Sequence, residues 1–144
     1  MKRSARQTVV KMTPIFLLFS SWVSADEQVL YCLDEQGTGY KKQETTYSQT
    51  AFTPQRFTVK LDGTSSLNIG GSQYVLGGEY DCSQGKAEKD LDLIKCHHTL
   101  EMSSNTFTIN TASGAYVRTT VTAFGYLTND TDTDGIFYGT CQDF

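Results

Sequence analysis

Four cysteines constrain this chain more than any other feature, because all of them lie downstream of a leader-like N-terminus. Lys2, Arg3, Arg6 and Lys11 make that N-terminus basic, and residues 14–23 (PIFLLFSSWV) form an apolar run. Val23-Ser24-Ala25 then gives the small-x-small pattern that signal peptidase cuts. This is the layout of a secretory signal peptide over residues 1–25, with cleavage expected after Ala25. Its apolar run is far shorter than the roughly 20 residues that span a bilayer. Export places Cys32, Cys82, Cys96 and Cys141 in an oxidising compartment, periplasmic or extracellular, where an even count reads as two disulfides.

The fold must therefore bring four separated positions together in two pairs. Cys82 and Cys96 end two strand-like runs on either side of one polar loop, and Cys32 and Cys141 lie in the first and last such runs. Cys82–Cys96 with Cys32–Cys141 is the favoured pairing, although four cysteines allow three connectivities. A lipid anchor at Cys32 is excluded, since that residue follows bulky Tyr31 and sits seven residues past Ala25. Zinc is disfavoured as well: there is no Cys-x-x-Cys, and both histidines adjoin a single cysteine.

Beyond residue 25 no helical period of useful length occurs, and strand signals dominate. Residues 56–61 alternate, with Phe57, Val59 and Leu61 on one face and Asp62-Gly63 as the closing turn. Short runs follow at 67–69, 73–76 and 79–83, interrupted by Gly70-Gly71 and Gly77-Gly78. A longer run covers 91–102, with Ile94, Cys96 and His98 on one face and His97 on the other. Residues 106–110, 115–128 and 136–141 complete the set, whereas 28–33 opens it. Residues 34–54 read as a loop or an irregular edge strand. The expected architecture is all-β, an antiparallel barrel or sandwich of about seven to nine strands in a single domain over residues 26–144.

Charge narrows the range of partners. The leader holds four of the twelve basic residues and none of the sixteen acidic ones, leaving a formal charge of −8 on the remainder. Nucleic acid and anionic lipid both demand a basic face, so neither is an expected partner, and no membrane anchor remains after cleavage. The leader also removes Trp22, the one tryptophan, while all eight tyrosines stay in the folding part.

Three constellations could carry chemistry. Asp130, Asp132 and Asp134 alternate before Gly135, a carboxylate pattern that can wrap one Ca²⁺. Cys141 stands where a complete EF-hand loop would place its bidentate Glu, so the expected affinity is weak, of the ~0.1–1 mM class. No other cofactor is implied. Tyr116, Arg118, Phe124 and Tyr126 share one face of the 115–128 run, opposite Val117, Val121, Ala123 and Leu127. With the aliphatic face taken as core, the Tyr/Arg face becomes a surface for an unknown protein, glycan or small molecule. His98 is a candidate for a small hydrolase, but no nucleophile or orienting acid can be placed beside it.

The ending, Gly125-Tyr126, an acidic turn, Tyr138-Gly139-Thr140-Cys141 and Phe144, resembles small exported bacterial β-rich proteins of uncharacterised activity. Ser113-Gly114-Ala115-Tyr116 is similar to the Ser-Gly-x-x-Tyr loop of the periplasmic inhibitors of c-type lysozyme, one residue shorter. That resemblance implies a disulfide-linked eight-stranded barrel whose inhibitory residues would be Ser113 and Tyr116. Together these features lead us to expect an exported, disulfide-stabilised binding or inhibitory module rather than an enzyme. The alternatives are a calycin-like carrier of a small apolar ligand and a structural envelope protein.

Overall fold

The computed structural model describes residues 27–70, 77–85, 92–122 and 133–143. Its strands are β1 (Glu27–Gln43), β2 (Thr46–Ala51), β3 (Arg56–Asp62), β4 (Ser66–Gly70), β5 (Gly78–Gln84), β6 (Leu93–Leu100), β7 (Ser103–Asn110), β8 (Ala115–Thr122) and β9 (Thr133–Asp143). Every pairing is antiparallel. β3 to β9 follow one another in order, and β1 pairs with both β3 and β9. Eight strands thus close into a barrel, and β2 is an extra strand on the upper half of β1. Closure gives each of the eight barrel strands a hydrogen-bonded neighbour on both sides. Among the described residues there is no helix long and apolar enough to cross a membrane.

Alternation decides what faces inward. Phe57, Val59 and Leu61 of β3, Leu67 and Ile69 of β4, Ile94 and Cys96 of β6, and Phe107 and Ile109 of β7 are all buried. Phe107 stacks on Tyr116 at 5.0 Å and 17°, and Phe57 meets both rings edge-on at 6.3 and 5.7 Å. These offset and T-shaped arrangements suit the ring quadrupoles. Aromatic rings therefore pack against one another across the middle of the barrel.

Residues 34–54 are more regular than their sequence suggests. β1 runs on past Leu33 with a register shift between Asp34 and Gln36, then turns into β2 to form a hairpin. Two local features disguise it. The stretch Gln36-Gly37-Thr38-Gly39 has no hydrophobic alternation, and its glycines serve close packing instead. A Cβ on Gly39 would collide with the Asp134 carbonyl of β9. The hairpin turn also carries Glu44 at φ 55°, a left-handed conformation that Gly, Asn or Asp normally signals.

Both disulfides form as expected, each between directly opposed residues of neighbouring strands: Cys32–Cys141 across β1 and β9, and Cys82–Cys96 across β5 and β6. The first joins the first and last strands across the barrel seam.

The faces of β8 reverse the sequence expectation. Tyr116 and Arg118 point into the barrel and are buried, whereas Val121 is 55% exposed. The aliphatic face is the outer one, because the interior contains a buried carboxylate, Asp34, that only the Tyr/Arg face can satisfy. His97 is exposed and His98 half-buried, as their alternation predicts.

The two staples span 109 and 14 residues of sequence. Loop-closure entropy gives about 4.7 kcal/mol for a 100-residue loop and about 3 kcal/mol for a 15-residue one. Urea unfolding of Cys32→Ser/Cys141→Ser is accordingly expected to show a loss roughly 1–2 kcal/mol larger than that of Cys82→Ser/Cys96→Ser.

Candidate functional site

Asp34 is the most enclosed charge among the described residues. Its Oδ1 accepts from the Tyr116 hydroxyl at 2.7 Å and from Arg118 Nε at 3.0 Å. Its Oδ2 accepts from the other arm of Arg118 at 2.6 Å and from the Gln55 backbone N–H at 3.3 Å. The Asp34 backbone N–H in turn donates to the Gln55 carbonyl at 2.9 Å. The Arg118 guanidinium lies 3.6 Å from the centroid of the Phe137 ring, and Phe52 packs against that ring at 5.3 Å. Gly139 makes room for the arrangement, since a Cβ there would sit 2.5 Å from the Tyr116 hydroxyl. A buried ion pair offsets its desolvation only when its remaining hydrogen-bonding capacity is also met. Here the fork geometry of Arg118 and the two further donors meet it.

This cluster is structural in its reach. Tyr116 and Arg118 are committed to Asp34 and do not present an exposed patch, which corrects the expectation drawn from their shared face. Phe124 and Tyr126, the other members of that set, lie outside the described residues. Burial, followed by the hydrogen bond to and the charge of Asp34, pushes the Tyr116 hydroxyl far above the usual tyrosine range. Tyr80 is also raised, chiefly by burial.

The outer wall offers a different surface. Cys32 points inward to its disulfide, so its neighbours Tyr31 and Leu33 must point out, and they are 47% and 39% exposed. They stand in a groove of about 410 Å³ with Arg56 and Thr58 of β3 on one side and Thr140 and Gln142 of β9 on the other. Register places Tyr31 opposite Gln142 and Leu33 opposite Thr140. Tyr138, 46% exposed, continues the aromatic surface along β9. The Cys32–Cys141 bond lies directly behind this groove and ties β1, its floor, to its β9 wall. Tyrosine and arginine, both present on this surface, are residue types enriched at protein interfaces.

The remaining predicted positions are scattered. Ser113 is exposed in the turn between β7 and β8, where the Asn110 carboxamide accepts from the Ala112 and Ser113 backbone N–H groups, both at 3.0 Å. It borders a smaller pocket of about 190 Å³ with Gln28, Gly114 and Asp143. Ser113 and Tyr116 are not brought together, because one faces solvent and the other the core. Asp130 and Asp132 lie outside the described residues. Asp134 Oδ1 accepts from the Thr122 N–H at 2.6 Å and so ties β9 to the end of β8. Among the described residues no group of three or more metal-ligating side chains occurs.

Fold and groove together define a closed, doubly stapled antiparallel barrel with an aromatic outer wall. Searches found no matching protein-family model, curated protein or solved structure.

A tyrosine whose hydroxyl is held neutral by the fold stabilises it fully below the unfolded value of 10.0 and loses that contribution as pH rises above it. Tyr116→Phe is expected to be less stable at pH 7 by about 1.5–3 kcal/mol, the range for a hydrogen bond to a charged group. Circular dichroism between pH 10 and 12 should show the variant losing stability less steeply than the wild type.

Proposed function

We propose that this protein is exported, matures by cleavage after Ala25, and works in the periplasm or outside the cell as a binding module. Its two disulfides support an oxidising location. The partner docks on the outer-wall groove, with Tyr31 and Leu33 as anchors and Arg56 at the rim. The observation that carries this reading is the outward exposure of Tyr31 and Leu33 on either side of Cys32, on a wall made rigid by the bond behind it. A preorganised surface of this kind loses little entropy on binding.

A calycin-like carrier would need its interior for the ligand, yet Phe57, Phe107 and Tyr116 pack together at the level of the Asp34–Arg118 pair. Inhibition through the exposed Ser113 turn is the second reading, favoured by the pocket beside that residue. It does not use Tyr116. Calcium at Asp130, Asp132 and Asp134 has less support, since Asp134 already bonds the end of β8.

The test is a comparative capture. The oxidised wild type, Tyr31→Ala/Leu33→Ala and Ser113→Ala are each used as bait against the native envelope and secretome, with folding checked by circular dichroism. Retention of the captured species should fall at least tenfold for the groove variant and stay unchanged for Ser113→Ala. Equal capture by a folded groove variant would contradict the proposal, and loss with Ser113→Ala alone would transfer it to the turn.

A further inference from the structure

We propose that the barrel interior at the level of Asn105, His98 and Thr120 holds a second site, anchored on Asn105, for a small neutral molecule presenting an amide or lactam edge. This site is separate from the outer-wall groove and stands or falls independently of it.

Asn105 is 1% exposed, and among the described residues neither its Nδ2 nor its Oδ1 has a hydrogen-bond partner. Buried polar groups in folded proteins are almost always paired, so two orphaned atoms on one side chain indicate a missing partner. Register shows what surrounds them. Asn105 lies directly opposite His98 of β6 and Thr120 of β8. Directly opposed residues of an antiparallel pair share a face, with Cβ atoms about 4.5–5.5 Å apart. His98 and Thr120 are both half-buried. Three adjacent strands therefore bring an amide, an imidazole and a hydroxyl to one level of the interior.

Aromatic rings bound that level. Tyr80 packs on His98 at 5.2 Å, and Phe107 lies one step deeper on β7. His98 Nδ1 stands 2.6 Å from the Glu79 carbonyl, which can only accept, so Nδ1 donates this bond. Asn105 itself offers a donor and an acceptor side by side. The complement of that pattern is an N–H next to a C=O, as along the edge of a lactam or a primary amide.

Charge separates this ligand from a carboxylate. The one guanidinium in the layer beneath, Arg118, is bidentate to Asp34, so the pair is neutral as a unit. Arg118 is therefore not available to a carboxylate from the layer beneath. A neutral amide edge meets both the Nδ2 donor and the Oδ1 acceptor of Asn105, whereas a carboxylate, which only accepts, leaves Oδ1 unmet.

The test follows the Asn105 side-chain NH₂ resonances of the oxidised, ¹⁵N-labelled protein during titration with 2-pyrrolidinone, acetamide or acetate. Saturable shifts with 2-pyrrolidinone and acetamide are expected, with acetate at least tenfold weaker. Asn105→Leu should abolish the response of neighbouring backbone amides, and Thr120→Val, which keeps the shape of the side chain, should weaken it. Absence of a shift with either amide would overturn the proposal. So would persistent cross-relaxation between the Asn105 amide and a long-lived water at saturating lactam, because the missing partner would then be water. A response to acetate equal to that of acetamide would overturn the ligand class.

Discussion

Everything in this barrel is arranged around one buried negative charge. Asp34 sits on β1 at the register shift, beside the seam where β1 meets β9. Leaving a carboxylate there unpaired would cost several kcal/mol. Its four hydrogen-bond donors come from β8 and from the residue preceding β3, so satisfying the charge fixes three chain segments against one another. The choice of inward face on β8 follows directly. Tyr116 and Arg118 must point in, and Val121 is left outside. Gly139 follows too, because any side chain there would occupy the place of the Tyr116 hydroxyl.

The same requirement divides the molecule into parts with different uses. The middle of the barrel is taken up by the ion pair and the Phe57, Phe107 and Tyr116 rings. The proposed recognition sites accordingly lie on the outer wall and at the level of Asn105. On the wall, the Cys32–Cys141 staple fixes the parity of β1 and thereby exposes Tyr31 and Leu33. Above the ion pair, the polar side chains of Asn105, His98 and Thr120 meet at one level. Rigidity in the seam and unsatisfied chemistry above it are two results of one packing solution.

Much of this was legible in the sequence, for reasons that are local. Alternation at Phe57, Val59 and Leu61, or at Ile94 and Cys96, declares the inward face directly. The disulfides followed from placing the cysteines in first, last and loop-flanking strands. The face of β8 was misleading because Val117 and Val121 look like core, and the reason they are not lies 84 residues away at Asp34. No local signal marks a carboxylate that will be buried by closure. The β1–β2 hairpin was obscured by glycines used for close packing and by a glutamate in a left-handed turn. In contrast, the Tyr31–Leu33 surface was accessible to reasoning: once Cys32 is assigned to an inward disulfide, its neighbours must face out. The isolation of Asn105 was not, since it depends on what two other strands fail to offer.

The dependence of the fold on the Asp34–Arg118 pair can be measured by a double-mutant cycle in urea at pH 7. The account predicts that Asp34→Leu and Arg118→Met each cost about 3–5 kcal/mol, because each strands a buried charge. The double variant should lose much less than the sum, since no charge is then left unpaired. Costs that are small, or that simply add, would contradict the claim that this charge organises the barrel.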